Sequence, residues 1–298
     1  MSSKLNQLAK HFASLHVPKK PLVLANVYDC ATTKAMLSLR PQLQAVATAS
    51  YGIADVAGLN DYNMSLEAHI ESLTRIANIV KSTEPDANNN LGIPLSVDII
   101  GGYGPRLSEA ITKIIELGAV GCNIEDSYFD VATMGVKLYS IDEMKKRLLL
   151  AKKVATELGV PDFVFNVRTD AVFVQDGVTP AQVMERGKTE QPIDEAIARG
   201  KAYLSTGVPT TIFIWAGPYS VGTSSENLKR YVKEFDGRVS VHINRKDVGG
   251  LSVDELGKLG VARISIGPEF LFQSMEVIKQ LAKNILSGGH MGTLTIKA

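Results

Sequence analysis

An eightfold alternation of short apolar runs with longer amphipathic segments predicts that this chain of 298 residues folds as a closed (β/α)8 barrel. Three observations carry the prediction. The apolar runs are rich in Val and Ile and nearly continuous, as parallel strands buried on both faces are. The segments between them carry apolar residues at helical spacing. Eight such units in about 250 residues match the size of a TIM barrel. An open, doubly wound sheet is the alternative arrangement of the same units.

The elements follow in order. In MSSKLNQLAKHFASLHV, residues Leu5, Leu8, Phe12 and Leu15 predict a short amphipathic helix. Strands are predicted at 22–27 (LVLANV), 44–48 (QAVAT), 93–99 (IPLSVDI), 119–124 (AVGCNI), 163–168 (FVFNVR), 211–216 (TIFIWA), 239–244 (VSVHIN) and 262–267 (ARISIG). Helical patterns separate them. SLEAHIESLTRIANIVK opens at Ser65, a serine suited to N-capping, and SEAITKIIELG closes at Gly118, a C-cap residue. SIDEMKKRLLLAKKVATELG runs from Ser140 to Gly159, and PIDEAIARGKAYLSTG starts with Pro192, a favoured first-turn residue. SVDELGKLG and PEFLFQSMEVIKQLAKNIL complete the set. No linker or composition break divides the chain, so residues 1–298 read as one barrel domain with an N-terminal helix and a C-terminal extension. The polar stretch 82–92 is a connection, and 175–191 (QDGVTPAQVMERGKTEQ) is a long βα connection expected to be flexible. The tail SGGHMGTLTIKA is expected to fray or to pack on a neighbouring molecule.

Composition narrows the function classes. A formal net charge of +1 gives no global field for nucleic acid or an anionic membrane. The N-terminus lacks the long apolar core of a secretory signal, and no apolar stretch approaches the roughly 20 residues of a membrane span. Cys30 and Cys122 are far apart and form no CxxC pattern, so they read as small core residues of a protein in a reducing, cytoplasmic compartment.

In a barrel of this kind the active site lies at the carboxyl ends of the strands. Strand two leads into ASYGIADVAGLND, with Ser50, Asp55 and Asp61, and strand three ends at Asp98 and a glycine-rich turn (DIIGGYG, 98–104). Strand four ends in Glu125 and Asp126, strand five in Arg168 and Asp170, and strand seven carries His242 and Asn244. Oxygen ligands from successive strand ends suit a hard cation such as Mg²⁺, with Mn²⁺ as an alternative. An arginine beside them offers a planar fork for a substrate carboxylate. The consistent chemistry is a metal-bound 2-oxo acid whose oxygen gains negative charge in the transition state. Asp126 and Asp170 read as structural, His242 as a polar residue of the barrel mouth rather than a ligand, and Trp215 as packing or pocket wall.

The segments NVYDCATTKAM, TASYGIADVAGLND, DIIGGYG, GAVGCNIEDS, NVRTDA and DEAIARGKAYLSTG follow one another as in the isocitrate lyase/phosphoenolpyruvate mutase superfamily. The resemblance runs from about residue 20 to residue 270 and is nearest to the short phosphonomutase-like branch. It implies Mg²⁺ and an α-oxocarboxylate or its enolate at the mouth of a (β/α)8 barrel. It also implies C–C or P–C bond chemistry, and a homo-oligomer, tetramer or dimer, that exchanges a C-terminal helix between subunits. By the resemblance, Asp98 contacts the metal, Glu125 lies near its waters, Asp61 sits on a gating stretch near the reacting centre, and Arg168 grips the substrate carboxylate. Ala49 and Ser50 match the pair whose backbone amides hold substrate oxygens. Gly102, Trp215 and His242 complete the expected substrate pocket.

The departures are as informative. The superfamily carries a second acid before the G-Y-G turn; here Ile100 takes its place. The lyase loop with its acid/base cysteine is replaced by EDSYFDVATMGVKLYS, which has neither cysteine nor histidine. Of the mutase loop only Lys137 survives, out of pattern, and Trp215 stands where mutases carry a histidine. The expected function is therefore a Mg²⁺-dependent enzyme that cleaves a C–C bond of a small 2-oxo or 2-hydroxy dicarboxylate through an enolate. The alternatives are a catalytically reduced member that binds a small carboxylate, and a P–C mutase or hydrolase of the phosphonopyruvate type.

Overall fold

Residues 3–85, 91–174, 193–217 and 223–292 are described by a computed structural model. The predicted 175–191 connection, Pro192 and the last six residues of the tail lie outside them, as do residues 86–90 of the 82–92 connection. Each predicted apolar run is a strand: β1 Leu22–Val27, β2 Val46–Thr48, β3 Leu95–Asp98, β4 Gly121–Glu125, β7 Val164–Thr169, β8 Thr211–Ile214, β9 Val239–His242 and β10 Arg263–Ser265. These eight pair in parallel and close in the order β1-β10-β9-β8-β7-β4-β3-β2. The two remaining strands, β5 Ser127–Asp130 and β6 Gly135–Leu138, form an antiparallel hairpin after β4 that the sequence reading does not contain.

The helices are α1 Lys4–Ser14, α2 Cys30–Leu37, α3 Ser50–Val56, α4 Leu66–Lys81, α5 Leu107–Glu116, α6 Ile141–Glu157, α7 Ile193–Leu204, α8 Ser225–Glu234, α9 Val253–Leu259 and α10 Glu269–Leu286. Serines set several of their starts. Ser65, Ser140, Ser224 and Ser252 each accept a hydrogen bond from the backbone amide three residues on, satisfying one orphan N–H of the first turn. Of the cysteines, Cys122 is fully buried as expected, whereas Cys30 is half-buried at the first turn of α2.

Helix α1 closes the bottom of the barrel. Phe12 is fully buried there, and a Cβ on Gly121 would come within 2.7 Å of its ring, so the strand needs glycine at that point. Asn6 exchanges two hydrogen bonds with Asp162, anchoring the helix to the β7 approach. The top is left open. The interior is polar where such barrels are ordinarily filled by Val, Ile and Leu: Thr211 donates to Asn166 (2.7 Å), Asn166 to Asn123 (2.8 Å), and Asn123 to Asp98 (2.9 Å).

A second buried network ties the strand ends to the helical layer. Asp126 is 0% exposed and accepts from the Thr169 hydroxyl (2.7 Å), the Asp170 amide (2.9 Å), the Tyr203 hydroxyl (2.7 Å) and Arg199 (3.3 Å). It is the structural carboxylate the sequence suggested. Helix α10 stands apart from this packing. Leu271 is its one fully buried residue, and Met275, Ile278, Ile285 and Leu286 are exposed. Among the described residues no helix is long and apolar enough to cross a membrane.

Replacing Asp126 with Ala leaves Arg199, Tyr203 and Thr169 without their shared acceptor. Equilibrium urea unfolding should show a loss of about 3–5 kcal/mol. A loss below about 1 kcal/mol would show that the network adds nothing to stability.

Candidate active site

The carboxyl ends of the strands surround a cavity of 1130 Å³ that runs down into the barrel. Asp98 ends β3 on its wall and is held in place from two sides. Oδ2 accepts from the Ser50 hydroxyl (3.0 Å) and amide (3.3 Å), and Oδ1 accepts from Asn123 (2.9 Å) and, at the limit of a hydrogen bond, from the Ile100 amide (3.4 Å). The chain of amide side chains below it fixes which way Asn123 donates, and so aims the carboxylate.

The turn after Asp98 explains its glycines. A Cβ on Gly101 would lie 2.2 Å from the Ser127 carbonyl oxygen, and Gly102 (φ 76) and Gly104 (φ 58) are left-handed. Ile100 also has φ 53, a conformation costly for a β-branched residue. Its side chain packs against the core, and its carbonyl accepts the Glu125 amide (2.9 Å). From below, Arg147 donates to the carbonyls of Gly101 (2.6 Å) and Gly104 (2.8 Å). The turn is thus built to hold Asp98 and Glu125 in register, with an apolar residue where the superfamily has an acid.

Arg168 is the hub of the charged groups. Its Nε and Nη2 donate to Asp170 (2.6 and 3.1 Å), and Nη1 lies 2.6 Å from Glu125. Asp170 accepts in turn from the Ser127 hydroxyl (2.6 Å). The guanidinium stacks over the Trp215 ring at 4.1 Å. Three of its five N–H groups are committed, which leaves one on each terminal nitrogen for a carboxylate in the cavity.

The electrostatics are unbalanced. Asp61, Asp98, Glu125 and Asp170 face one another closely enough to interact, against Arg168 and, deeper in the barrel, Arg263. Burial pushes the Asp61 carboxyl up to about 6, the Asp98 charge adds to this, and Ser50 and Arg168 oppose it. Its Oδ1 is buried without a hydrogen-bond partner. Burial likewise raises Glu125, against the pull of Arg168 and with help from Asp170, Asp98 and Asp61. Arg168 is paired with Glu125 and Asp170, and among the described residues neither Asp98 nor Asp61 makes an ion pair. Among the described residues no three His, Cys, Asp or Glu side chains converge as a cage. Asp98 and Asp61 both line the cavity, and carboxylate oxygens are the donors that Mg²⁺ or Mn²⁺ would take, with water and substrate completing the shell.

The other expected site residues fall as follows. Ala49, Ser50, Asp61, Arg168, Trp215 and His242 line the cavity. Glu125 sits behind Arg168, and Gly102 faces Leu107 and Arg147. The Ala49 amide is spent on the β1 ladder, donating to the Val27 carbonyl (3.0 Å). His242 has its pKa lowered, by burial above all, and lies 3.4 Å from the Asn244 side chain. The β5–β6 hairpin brings Phe129, Met134 and Val136 to the rim, and its one cation, Lys137, pairs with Asp130. Sequence reading missed Asn123, Asn166 and Arg263. Each stands two residues before a recognised or small polar residue, so the period-2 alternation places it on the same inward face.

The comparisons agree with this geometry. The sequence profile of the phosphoenolpyruvate phosphomutase family matches residues 12–286. An uncharacterized protein of Mycobacterium tuberculosis strain H37Rv is 27% identical over 256 residues, 86% of this chain and 81% of that one. A crystal structure from Burkholderia cenocepacia J2315, provisionally named a phosphonomutase, is 29% identical with a TM-score of 0.74, over 93% of this chain and 99% of that one. Oxaloacetate acetylhydrolase with its product oxalate shares the fold (TM-score 0.74, 20% identity, 97% of this chain and 90% of that one). So does 2,3-dimethylmalate lyase (TM-score 0.72, 20% identity, 99% and 91%). The chain belongs to the phosphoenolpyruvate phosphomutase family, within the isocitrate lyase/phosphoenolpyruvate mutase superfamily.

Proposed function

We propose that this protein is a Mg²⁺-dependent lyase that cleaves a C–C bond in a small 2-oxo or 2-hydroxy dicarboxylate through an enolate. The observation that carries the reading is Asp98 on the wall of the cavity, without an ion-pair partner among the described residues, beside Arg168. When bound, the cation supplies Lewis acidity toward the substrate oxygens. Asp98 would hold it, and Glu125 keeps Arg168 in position beside it. The two unspent N–H groups of Arg168 take the substrate carboxylate, and the Ser50 hydroxyl and amide are within the same wall. Asp61, with its carboxyl near neutrality, moves the proton at the reacting carbon. The hairpin rim of Phe129, Met134 and Val136 excludes water from the enolate. That rim has no acid or base aimed at a phosphoryl group, which disfavours P–C chemistry. The exposed apolar residues of α10 support a homo-oligomer in which that helix is covered by a second copy.

A second reading rests on one observation, Ile100: with an apolar residue at the second acidic position, the site would bind a small carboxylate without turning it over.

Two measurements follow. On a panel of oxaloacetate and substituted malates with Mg²⁺, at least one substrate should be cleaved, and Asp98→Asn should lower kcat/KM by about 100-fold or more. Unchanged turnover in Asp98→Asn would remove Asp98 from the metal site; no turnover of any substrate would favour the binding protein. The second concerns Asp61. A carboxyl raised from 3.8 to about 6 on folding binds a proton more tightly in the native state, so its contribution to stability falls as pH rises from about 4 to 6 and stays low above that. Asp61→Asn should therefore be less active yet more stable than the parent at pH 8, by up to about 3 kcal/mol, with the advantage gone near pH 4. A variant equally destabilised at both pH values would contradict the assigned burial.

A further inference from the structure

Arg263 opens β10 and points into the barrel from the strand's lower end, beside Ser240 on β9 and Leu22 on β1. It is 2% exposed and is the largest fully buried side chain among the described residues. Its Nε and Nη1 have no hydrogen-bond partner, and among the described residues no carboxylate oxygen lies within ion-pair distance of it. Across the cavity floor the Ser96 hydroxyl is also without a partner. Both line the same 1130 Å³ cavity as Arg168 and Asp98, next to Ala47, Ser265 and Asn26. Ala47 and Ser96 are small where barrels ordinarily carry Val, Ile or Leu, and the space they leave is the lower part of the cavity.

A buried guanidinium with unmet donors is costly, by several kcal/mol. Burial draws its pKa down to about 10, which leaves it cationic at neutral pH. Asp98 acts on it only at a distance, with no ion pair between the two. His16, beneath the barrel, is held near pKa 3 by burial and by Arg263, so it is neutral and leaves the Arg263 charge unmatched. The positive charge at the floor is thus provided for something that enters from the cavity.

We propose that Arg263 and Ser96 form a second anion subsite at the barrel floor, which takes the distal carboxylate of a dicarboxylate whose other end lies at Arg168 and Asp98. The inference deepens the proposed function and rests on it for the identity of the upper end group. It makes Arg263 the residue that selects dicarboxylates over monocarboxylates. It also explains why the chain keeps small and polar residues along the inner face of β2 and β3.

Trp215 is the sole tryptophan and stacks on Arg168, so its fluorescence reports occupancy of the cavity. Titration of the Mg²⁺-loaded protein with 2-oxo dicarboxylates of increasing length (oxaloacetate, 2-oxoglutarate, 2-oxoadipate) and with pyruvate and 2-oxobutyrate gives the ratio of dicarboxylate to monocarboxylate affinity. For the parent protein the best dicarboxylate should bind at least 10-fold tighter. In Arg263→Met the ratio should fall to near 1 without loss of melting temperature, since the side chain removed had no partners. Arg263→Gln, also neutral but polar, should lower the ratio likewise and carries the test if the Met variant does not fold. A parent ratio near 1, or a ratio unchanged in either folded neutral variant, overturns the proposal. Oxalate titrated into the parent reports the upper site separately: failure of oxalate to bind counts against the proposed function, while the ratio still reads Arg263.

Discussion

The guanidinium of Arg168 is the constraint on which the site depends. It is clamped by Asp170 through two nitrogens and by Glu125 through a third, and it is stacked on Trp215. Those contacts come from two neighbouring strand ends and the loop after β8, so the strands must be in register for any of them to form. Asp126 enforces that register one residue below the surface, accepting from Thr169 and the Asp170 amide on one side and from α7 on the other. A buried arginine satisfied in this way stays charged, but it neutralises too little. With Asp61 and Asp98 also facing the cavity, the negative charges outnumber the positive ones, and burial makes the surplus expensive. The raised pKa of Asp61 is one expression of that surplus.

The missing acid at Ile100 has to be weighed in these terms. A further carboxylate would add repulsion to a cluster that already carries a surplus, so its loss lowers the cost of the empty site as well as the affinity of the filled one. Ile100 is not an idle replacement. Held at φ 53, it packs into the core and gives its carbonyl to the Glu125 amide, while Arg147 braces Gly101 and Gly104 from beneath. The turn holds Asp98 and Glu125 rigidly, with no acid of its own at position 100.

Much of this was legible in the sequence because the barrel writes itself in period and punctuation. Eight Val/Ile-rich runs became eight strands, with ends within two residues of those expected, and Ser65 caps the helix it was expected to cap. The strand-end acids and Arg168 were legible because polar residues stand out where an apolar run stops. Three kinds of feature were not. Helices α2, α3 and α8 lack a clean apolar stripe: CATTKAML carries two threonines, SYGIADV is short and holds a glycine, and SENLKRYVKE is mostly polar. The hairpin lay in a segment read only for the residues it lacks, although YF and VKL flanking a TMG turn alternate as strands do. The polar interior of Asn123, Asn166 and Arg263 was hidden inside runs scored as apolar. The commitment of the Ala49 amide to the β1 ladder is a matter of backbone register, which no residue type announces.

The central claim is that one aspartate, two supporting carboxylates and an arginine make a working cation site without the second acid. Calorimetric titration of Mg²⁺ into the metal-free protein, with and without oxalate as a planar mimic of the enolate, tests it most directly. The account predicts saturable Mg²⁺ binding that oxalate tightens, because the ligand's oxygens complete the shell that the protein leaves open. No heat of binding from either at millimolar concentration would contradict it, and would mark Ile100 as the residue at which metal chemistry was lost.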